Sequence, residues 1–495
     1  MKEMNFPLLS AQEAARLIKD KKVLGIGGFS SVGTPKLVPM ALAEYAKELH
    51  SEGKEFKVGL ITGGAAGSLI DGALAQADAV FMRTPFQSDK DMRNSINSGK
   101  VAYFDLHLSH IGQDVRYGFL PKIDVAIIEA SDITPEGEIT LSTSVGISPT
   151  LVQQADRVIV ELNRVHKGKL KGMHDIFLLD NPPYRKEIPI YRVNDRVGSC
   201  TLKVDPKKIV AVVESEVKDR TAPFTPLNET TQRIGNNVAA FLLNEWRKGG
   251  IPKEFLPLQS GVGNVANAVL GALGEDTHLP AFSMFTEVIQ NLMMKERISF
   301  ATGSSLTLSE DKLDMMYENL DFFKERVLLR PQEITNHPEM VRRLGIIAVN
   351  TALEADIFGN VNSTHVMGSK MMNGIGGSAD FSRNAFLSIF TTPSTAKDGL
   401  ISSIVPQVSH VDSTEHDVRV LVTEQGVADL RGKSPKERAA CIIENCAHPD
   451  YKELLWDYVK LSEGKGYHTP FSLKNALKMH LAFAETGDMR NTKYE

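Results

Sequence analysis

Residues 23–50, VLGIGGFSSVGTPKLVPMALAEYAKELH, decide the fold. Val23–Ile26 is a short apolar run that reads as a buried strand, and Gly27-Gly28 reads as a turn. Thr34-Pro35 then reads as an N-cap followed by proline at the first helical position, launching a helix over 37–50. Upstream, Ser10-Ala11-Gln12-Glu13 has the S-x-x-E spacing of a capping box and opens a short helix. The β–turn–α pattern recurs at KVGLITGG (57–64), DVAIIEA (124–130), DRVIVEL (156–162) and KIVAVVE (208–214). Strands buried on both faces read as continuous Val/Ile runs, so the expectation is an α/β fold with largely parallel or mixed sheets flanked by helices.

Two halves are expected. Asp132-Ile133 is followed by Gly137, Ile139, Ser142-Thr143 and Gly146. Asp356-Ile357 is followed by Gly359, Val361, Ser363-Thr364 and Gly368. DRVIVE, ending at Glu161, echoes DVRVLVTE, ending at Glu424. The common order points to a duplicated α/β unit. The polar, proline-containing stretch 218–229 is the best boundary, giving domains over 1–225 and 226–495, and the helix TQRIGNNVAAFLLNEWRKGG (231–250) opens the second.

The bulk composition narrows the function. With 56 Lys and Arg against 61 Asp and Glu, no basic excess exists to neutralise a nucleic-acid backbone. Three cysteines, Cys200, Cys441 and Cys446, argue for a reducing compartment rather than a disulfide scaffold. No apolar run reaches the roughly 20 residues that cross a bilayer, and the N-terminus lacks an apolar signal core. The expected location is the cytoplasm, with no membrane partner. Cys441, Cys446 and His448, or Asp105, His107 and His110, or His410, Asp412 and His416, are sparse as ligand sets, so hydrogen-bonded structure is expected there and no metal.

Chemistry concentrates at three places. Ser260-Gly261-Val262-Gly263-Asn264 lies between a strand end (256–259) and a helix (265–274). Such a turn presents main-chain N–H groups and a helix N-terminus to a ligand; the alternative is a merely tight connection. The run AFSMFTE (281–287) alternates like a strand and puts the Glu287 carboxylate at its tip, where active-site groups collect. MMNGIGGSAD (371–380) is a second glycine-rich turn, and Glu424 ends another strand. Gly261, Gly263 and Ala266, like Gly374, Gly376 and Ala379, also fit G-x-G-x-x-A. The nearest acids after the first of these, Glu275-Asp276, come too early and in a loop to bind a ribose, which weighs against an NAD-dependent oxidoreductase. Gly426 and Gly432-Lys433-Ser434 miss P-loop spacing by one residue.

SGVGNVANAV (260–269), the Thr-Glu-Val around Glu287, LRPQEITNHP (329–338), GNVNSTHVMGSKMMNGIGGSADF (359–381), SIVPQVSHVD (403–412), VTEQGVADLRG (422–432) and CAHPDYK (446–452) together resemble the acetyl-CoA hydrolase/transferase family. Within it the chain is most similar to class I CoA-transferases of the bacterial succinyl-CoA:acetate type, over nearly its whole length. The resemblance implies two homologous CoA-transferase-like domains and a homodimer. It implies acyl-CoA and short-chain carboxylates as substrates, with no metal or redox cofactor. It makes Glu287 the nucleophile, Gly261, Val262, Gly263, Asn264 and Val265 the CoA-contacting loop, and Asn373 and Gly377 the second loop. Lys397 becomes a CoA contact, and Asn336, Glu424 and Arg220 polar groups around the nucleophile. Ala379 departs from the glycine common in relatives. The N–H groups of Val262 and Gly377 are then candidate oxyanion donors on the acyl side, and Asn336, oriented by Glu424, on the glutamyl side. Net acetyl-CoA hydrolysis is the alternative, through the same intermediate.

Overall fold

A computed structural model describes residues 6–221, 227–261, 263–275, 278–286, 290–463 and 467–495. The chain forms two compact units that are not contiguous in sequence: Met1–Pro223 with Ser283–Leu344 and Asn373–Asp380, and Phe224–Phe282 with Gly345–Met372 and Phe381–Glu495.

In the first unit the apolar runs form a parallel sheet. Its order is Ala102–Tyr103, Val80–Thr84, Val58–Thr62, Val23–Ile26, Val125–Ile133, Arg157–Asn163, Ile209–Ser215. All four recurrent motifs are strands of it. The strand order reverses beside Val23–Ile26, with Leu24 against Val125, which makes this edge the switch point where α/β sheets open a crevice. Helices bury their apolar stripes on the sheet, with Ala14, Ile18, Val38, Leu42 and Ala46 packed on Leu24, Ile26, Leu60, Ile127 and Ile159.

The Ser10 capping box forms as read, with Glu13 N–H on Ser10 Oγ and Ser10 N–H on Glu13 Oε2. The next helix differs. It spans Leu37–Ser51, its N-cap is Lys36 rather than Thr34, and no local side chain caps it. Instead the Glu161 carboxylate, from the end of Arg157–Asn163, accepts the N–H groups of Lys36 (2.8 Å), Leu37 (2.9 Å) and Val38 (3.2 Å). A buried anion three amides deep answers the helix start better than a hydroxyl would, and local sequence carries no trace of it.

The second unit repeats the plan. Leu258–Ser260, Ile347–Thr351, Leu387–Thr391 and Val420–Val422 run parallel in that order, and Val427–Asp429 returns antiparallel. Ala355, Ile357, Phe390, Leu421, Ile442 and Tyr451 lie in its core. Both units carry the hairpin behind the Asp132/Asp356 echo: Ile133 faces Ile139 in one, and Ala355 faces Val361 in the other. The second echo is not a register match. Glu129, Glu161 and Val213 are cross-strand neighbours in the first unit, and Thr351, Thr391 and Val422 in the second. The positional counterpart of Glu161 is therefore Thr391, and Glu424 corresponds to Ser215.

Glu161→Ala should strand three N–H donors and cost about 1–3 kcal/mol, more than Ser10→Ala at the exposed box, about 1 kcal/mol or less. Urea midpoints for the two variants check this; the reverse order would show that the distant carboxylate is not the cap.

Candidate functional site

The helix Leu108–Tyr117 organises one side of the site in the first unit. Its first N–H, at Leu108, donates to Gly376 O (3.1 Å) in the glycine-rich turn. Ser109 donates through N (3.0 Å) and Oγ (2.5 Å) to the Asp380 carboxyl that closes the turn. At the opening of the turn the Asp105 carboxylate accepts Ile375 N–H (2.7 Å), and Tyr103 Oη donates to Asn373 O. Asp105, weighed above as a metal ligand, is thus a strut of the loop.

The same helix fixes Asn336. Gln332 Nε2 donates to Leu108 O (3.0 Å), and Arg116 grips Glu333 with two bonds of 2.7 and 2.6 Å. These residues form the single turn Gln332–Thr335, and Asn336 ends it with its N–H on Gln332 O. Asn336 is buried, its Oδ1 taking the Thr335 hydroxyl (3.2 Å). A Cβ built on Gly377 would fall 2.4 Å from Asn336 Nδ2, so the amide lies directly against the glycine main chain. Two residues singled out from sequence, 41 positions apart, are therefore brought together. Asp380 stands behind them: burial pushes its carboxyl up to about 7, against the hydrogen bonds from Ser109 and the Asn336 side chain. Ser109 and Asp380 were missed because a serine after a strand and an aspartate after glycines look like ordinary capping residues.

In the second unit Ser260 ends its strand, Gly261 N–H bonds Val349 O (3.1 Å), and the helix Asn264–Glu275 begins at once. Among the described residues, a Cβ at Gly261 would meet nothing nearer than 4.0 Å and one at Gly263 nothing at all within that distance. The described residues therefore do not pack against position 261 in a way that requires glycine. Where Glu161 answers the helix start in the first unit, the counterpart Thr391 turns its hydroxyl to Asn350 O (3.2 Å). No side chain among the described residues caps Asn264, Val265 or Ala266. Glu424 accepts Ser394 N–H (2.8 Å) and the Ser394 hydroxyl, with Gln425 Nε2 at 3.0 Å. Burial pushes it up, but the Ser394 bonds outweigh that and hold it below the ordinary glutamate range. Lys397 is exposed, its ammonium 4.9 Å from the Phe483 ring centroid.

Arg220 is exposed and makes no hydrogen bond or ion pair among the described residues. Glu287 and Val262 lie outside the described residues; the strand leading to Glu287 is Phe282–Thr286, as read from the alternation. One trio among the described residues has metal-ligand geometry, Glu129, His166 and Asp219. The Lys36 ammonium already bridges both carboxylates there, at 2.8 Å from Asp219 Oδ1, so the cationic position is taken.

Family models for the acetyl-CoA hydrolase/transferase N-terminal and C-terminal domains match residues 2–214 and 313–459. A succinyl-CoA:acetate CoA-transferase of Clostridium kluyveri is 49% identical over 98% of this chain and 90% of its own. The chain belongs to the acetyl-CoA hydrolase/transferase family. An acetyl-CoA hydrolase of Schizosaccharomyces pombe is 46% identical over 95% of this chain and 94% of its own. The solved structure of a 4-hydroxybutyrate CoA-transferase from Porphyromonas gingivalis superposes with a TM-score of 0.61 at 20% identity, covering 92% of this chain and 97% of that one, which shows the shared fold.

Gly377→Ala should displace the Asn336 amide and cut acyl-CoA turnover at least about tenfold, because misplacing one donor forfeits much of its worth. Steady-state kinetics with a thermal melt check it; full turnover in a folded variant would show that the contact is idle.

Proposed function

We propose that this chain transfers coenzyme A from succinyl-CoA or a short-chain acyl-CoA to a carboxylate such as acetate, with Glu287 as the group that carries it. The observation that supports this most directly is the Asn336 amide held against the Gly377 main chain, in a family whose members act on CoA esters. Neutral donors fixed beside a glycine loop suit an oxyanion and leave room for a bulky thioester.

The chemistry balances without a metal or an electron carrier. The Glu287 carboxylate attacks the thioester carbonyl, and the tetrahedral adduct expels CoA thiolate, leaving a mixed acyl-glutamyl anhydride. The thiolate attacks the glutamyl carbonyl, releasing the first carboxylate and forming glutamyl-CoA. The acceptor carboxylate attacks that thioester to give a second anhydride, and the thiolate takes its acyl group as the new acyl-CoA, restoring Glu287. Each tetrahedral step places charge on an oxygen, for which the Val262 and Gly377 N–H groups serve the acyl side and Asn336 the glutamyl side. Each such donor is worth about 3–4 kcal/mol in the transition state. The Gly261–Val265 turn, unneeded as glycine for packing at 261 and uncapped by any described side chain, receives the CoA body, with Asn373, Lys397 and Arg220 as further contacts. Binding energy from that remote body, realised in the transition state, raises the rate further. With this reading go a homodimer and a cytoplasmic location.

Hydrolysis is the second reading, favoured by the similarity to the fungal hydrolase. It differs only in letting water resolve the glutamyl intermediate. CoA release measured with and without acceptor carboxylate separates the two; transfer predicts release that depends on the acceptor.

Incubation with acyl-CoA alone should leave CoA on Glu287 as a thioester, visible by peptide mass mapping after trapping. An adduct on another residue, or none, would overturn the assignment. Glu287→Ala should abolish transfer in a folded protein. Glu287→Asp should lose several orders of magnitude, since retracting the nucleophile by one methylene forfeits the near-attack geometry; near-normal rates would exclude covalent catalysis by this residue.

A further inference from the structure

The motif CAHPDYK (446–452) has no part in the proposed chemistry, yet the second unit is braced around it. Cys446 O accepts the hydroxyl of Thr423, the neighbour of Glu424, at 2.9 Å. Further along, the Tyr451 ring is fully buried in the first turn of the helix Pro449–Glu463. Its hydroxyl reaches out of the core and donates to Gly399 O (2.7 Å). Gly399 lies in the loop of a small hairpin, where Thr395–Ala396 pairs with Ile401–Ser402. That loop is held in an unfavourable shape. Lys397, Asp398 and Gly399 follow one another with φ of +48°, +55° and +86°. Only the glycine enters this left-handed region without a Cβ crowding the next carbonyl. A lysine and an aspartate kept there need contacts from outside the loop.

The C-terminal segment supplies further contacts. Met489 N–H donates to Leu400 O (3.0 Å), and Ser402 N–H meets Met489 Sδ (3.3 Å). The Phe483 ring centroid is 4.9 Å from the Lys397 ammonium. The result is an exposed ammonium on a fixed stalk, with no carboxylate paired to it among the described residues. We infer that Tyr451 is a positioning residue for coenzyme A: its hydroxyl clamps the strained loop, and with Phe483 it presets the Lys397 ammonium to meet a phosphate of CoA. This rests on the reading of Lys397 as a CoA contact given under the proposed function. Tyr451 itself touches no substrate. A preset ammonium loses less freedom on binding than a lysine on a loose loop, so the clamp is felt in affinity.

Tyr451→Phe removes one hydroxyl and keeps the buried ring, so it tests the clamp with little cost to the fold. With succinyl-CoA as donor and acetate as acceptor, kcat/KM for the donor should fall about fivefold, the weight of one hydrogen bond, with kcat within about twofold. Lys397→Ala should lower kcat/KM about tenfold by removing the ammonium itself. In the Lys397→Ala background, Tyr451→Phe should cost nothing further, since it acts through that ammonium. Added salt should narrow the gap between wild type and Tyr451→Phe, because the contact weakened is one between charges.

Wild-type kcat/KM in Lys397→Ala would sink the reading of Lys397 as a CoA contact, and the inference with it, while leaving the role of Glu287 untouched. A weakened Lys397→Ala beside a wild-type Tyr451→Phe would overturn the positioning role alone. Losses that multiply in the double variant, or a gap that salt leaves unchanged, would show Tyr451 acting as general structure and would also overturn it. Should Tyr451→Phe not fold, Phe483→Leu keeps an apolar side chain and removes the ring beside the ammonium. It should lower kcat/KM about two- to fivefold in the wild-type background and not at all in Lys397→Ala; equal losses in both would reject the proposal.

Discussion

The first N–H groups of a helix have no partner within it, and something must answer them. This constraint shapes both units and separates their roles. In the first, Glu161 reaches from a neighbouring strand end to take three amides of the helix Leu37–Ser51. In the second, Thr391 stands at the same place in the sheet and bonds a strand carbonyl instead. The helix after the Gly261 turn has no side-chain cap among the described residues. The duplicated fold has thus answered the helix start of one half with its own carboxylate and placed a threonine at the matching sheet position of the other.

The same constraint is met from a loop at a second helix start within the first unit. The start of the helix Leu108–Tyr117 is satisfied from the glycine-rich turn: Leu108 N–H by Gly376 O, and Ser109 N–H by Asp380. Asp105, just before that helix, takes Ile375 N–H. The turn is therefore pinned near both ends by carboxylates flanking one helix start, and the bidentate Arg116–Glu333 pair fastens the Asn336 segment farther along. A loop with glycines at 374, 376 and 377 has little stiffness of its own. Its rigidity is borrowed from the helix, which is what an oxyanion donor needs if it is to cost no reorganisation during the reaction.

Much of this was legible in sequence, for definite reasons. Val/Ile runs gave Val23–Ile26 and the four strands of the recurring pattern because burial on both faces leaves no alternation to misread. The Ser10 cap is local, three residues from its partner. Asn336 and Gly377 were reached through motifs. What stayed hidden was non-local: Glu161 capping a helix 124 residues away and Ser109 meeting Asp380 across 271 residues. A carboxylate at a strand tip looks the same in sequence whether it caps, orients or reacts. The mistaken echo of DRVIVE with DVRVLVTE has the same origin, since two strands ending in Glu are alike until their neighbours in the sheet are known.

The polar cluster at the first unit's switch point completes the contrast. Lys36, Glu129 and Asp219 are all buried, and the carboxylate oxygens are saturated by Ser142, Asn163, Thr143 and Gly33 in addition to the ammonium. Breaking such a pair by removing one partner typically costs about 3–5 kcal/mol, although building it adds little stability over an apolar core. Its value lies in what it forbids. Lys36 sits where a bound cation would go, and Glu161 where a bound anion would go. The corresponding positions of the second unit, Gly263, Thr351 and Thr391, carry neither charge nor bulk. One half thereby spends its charged positions on its own loops, and the other places a glycine turn there with no side-chain cap among the described residues.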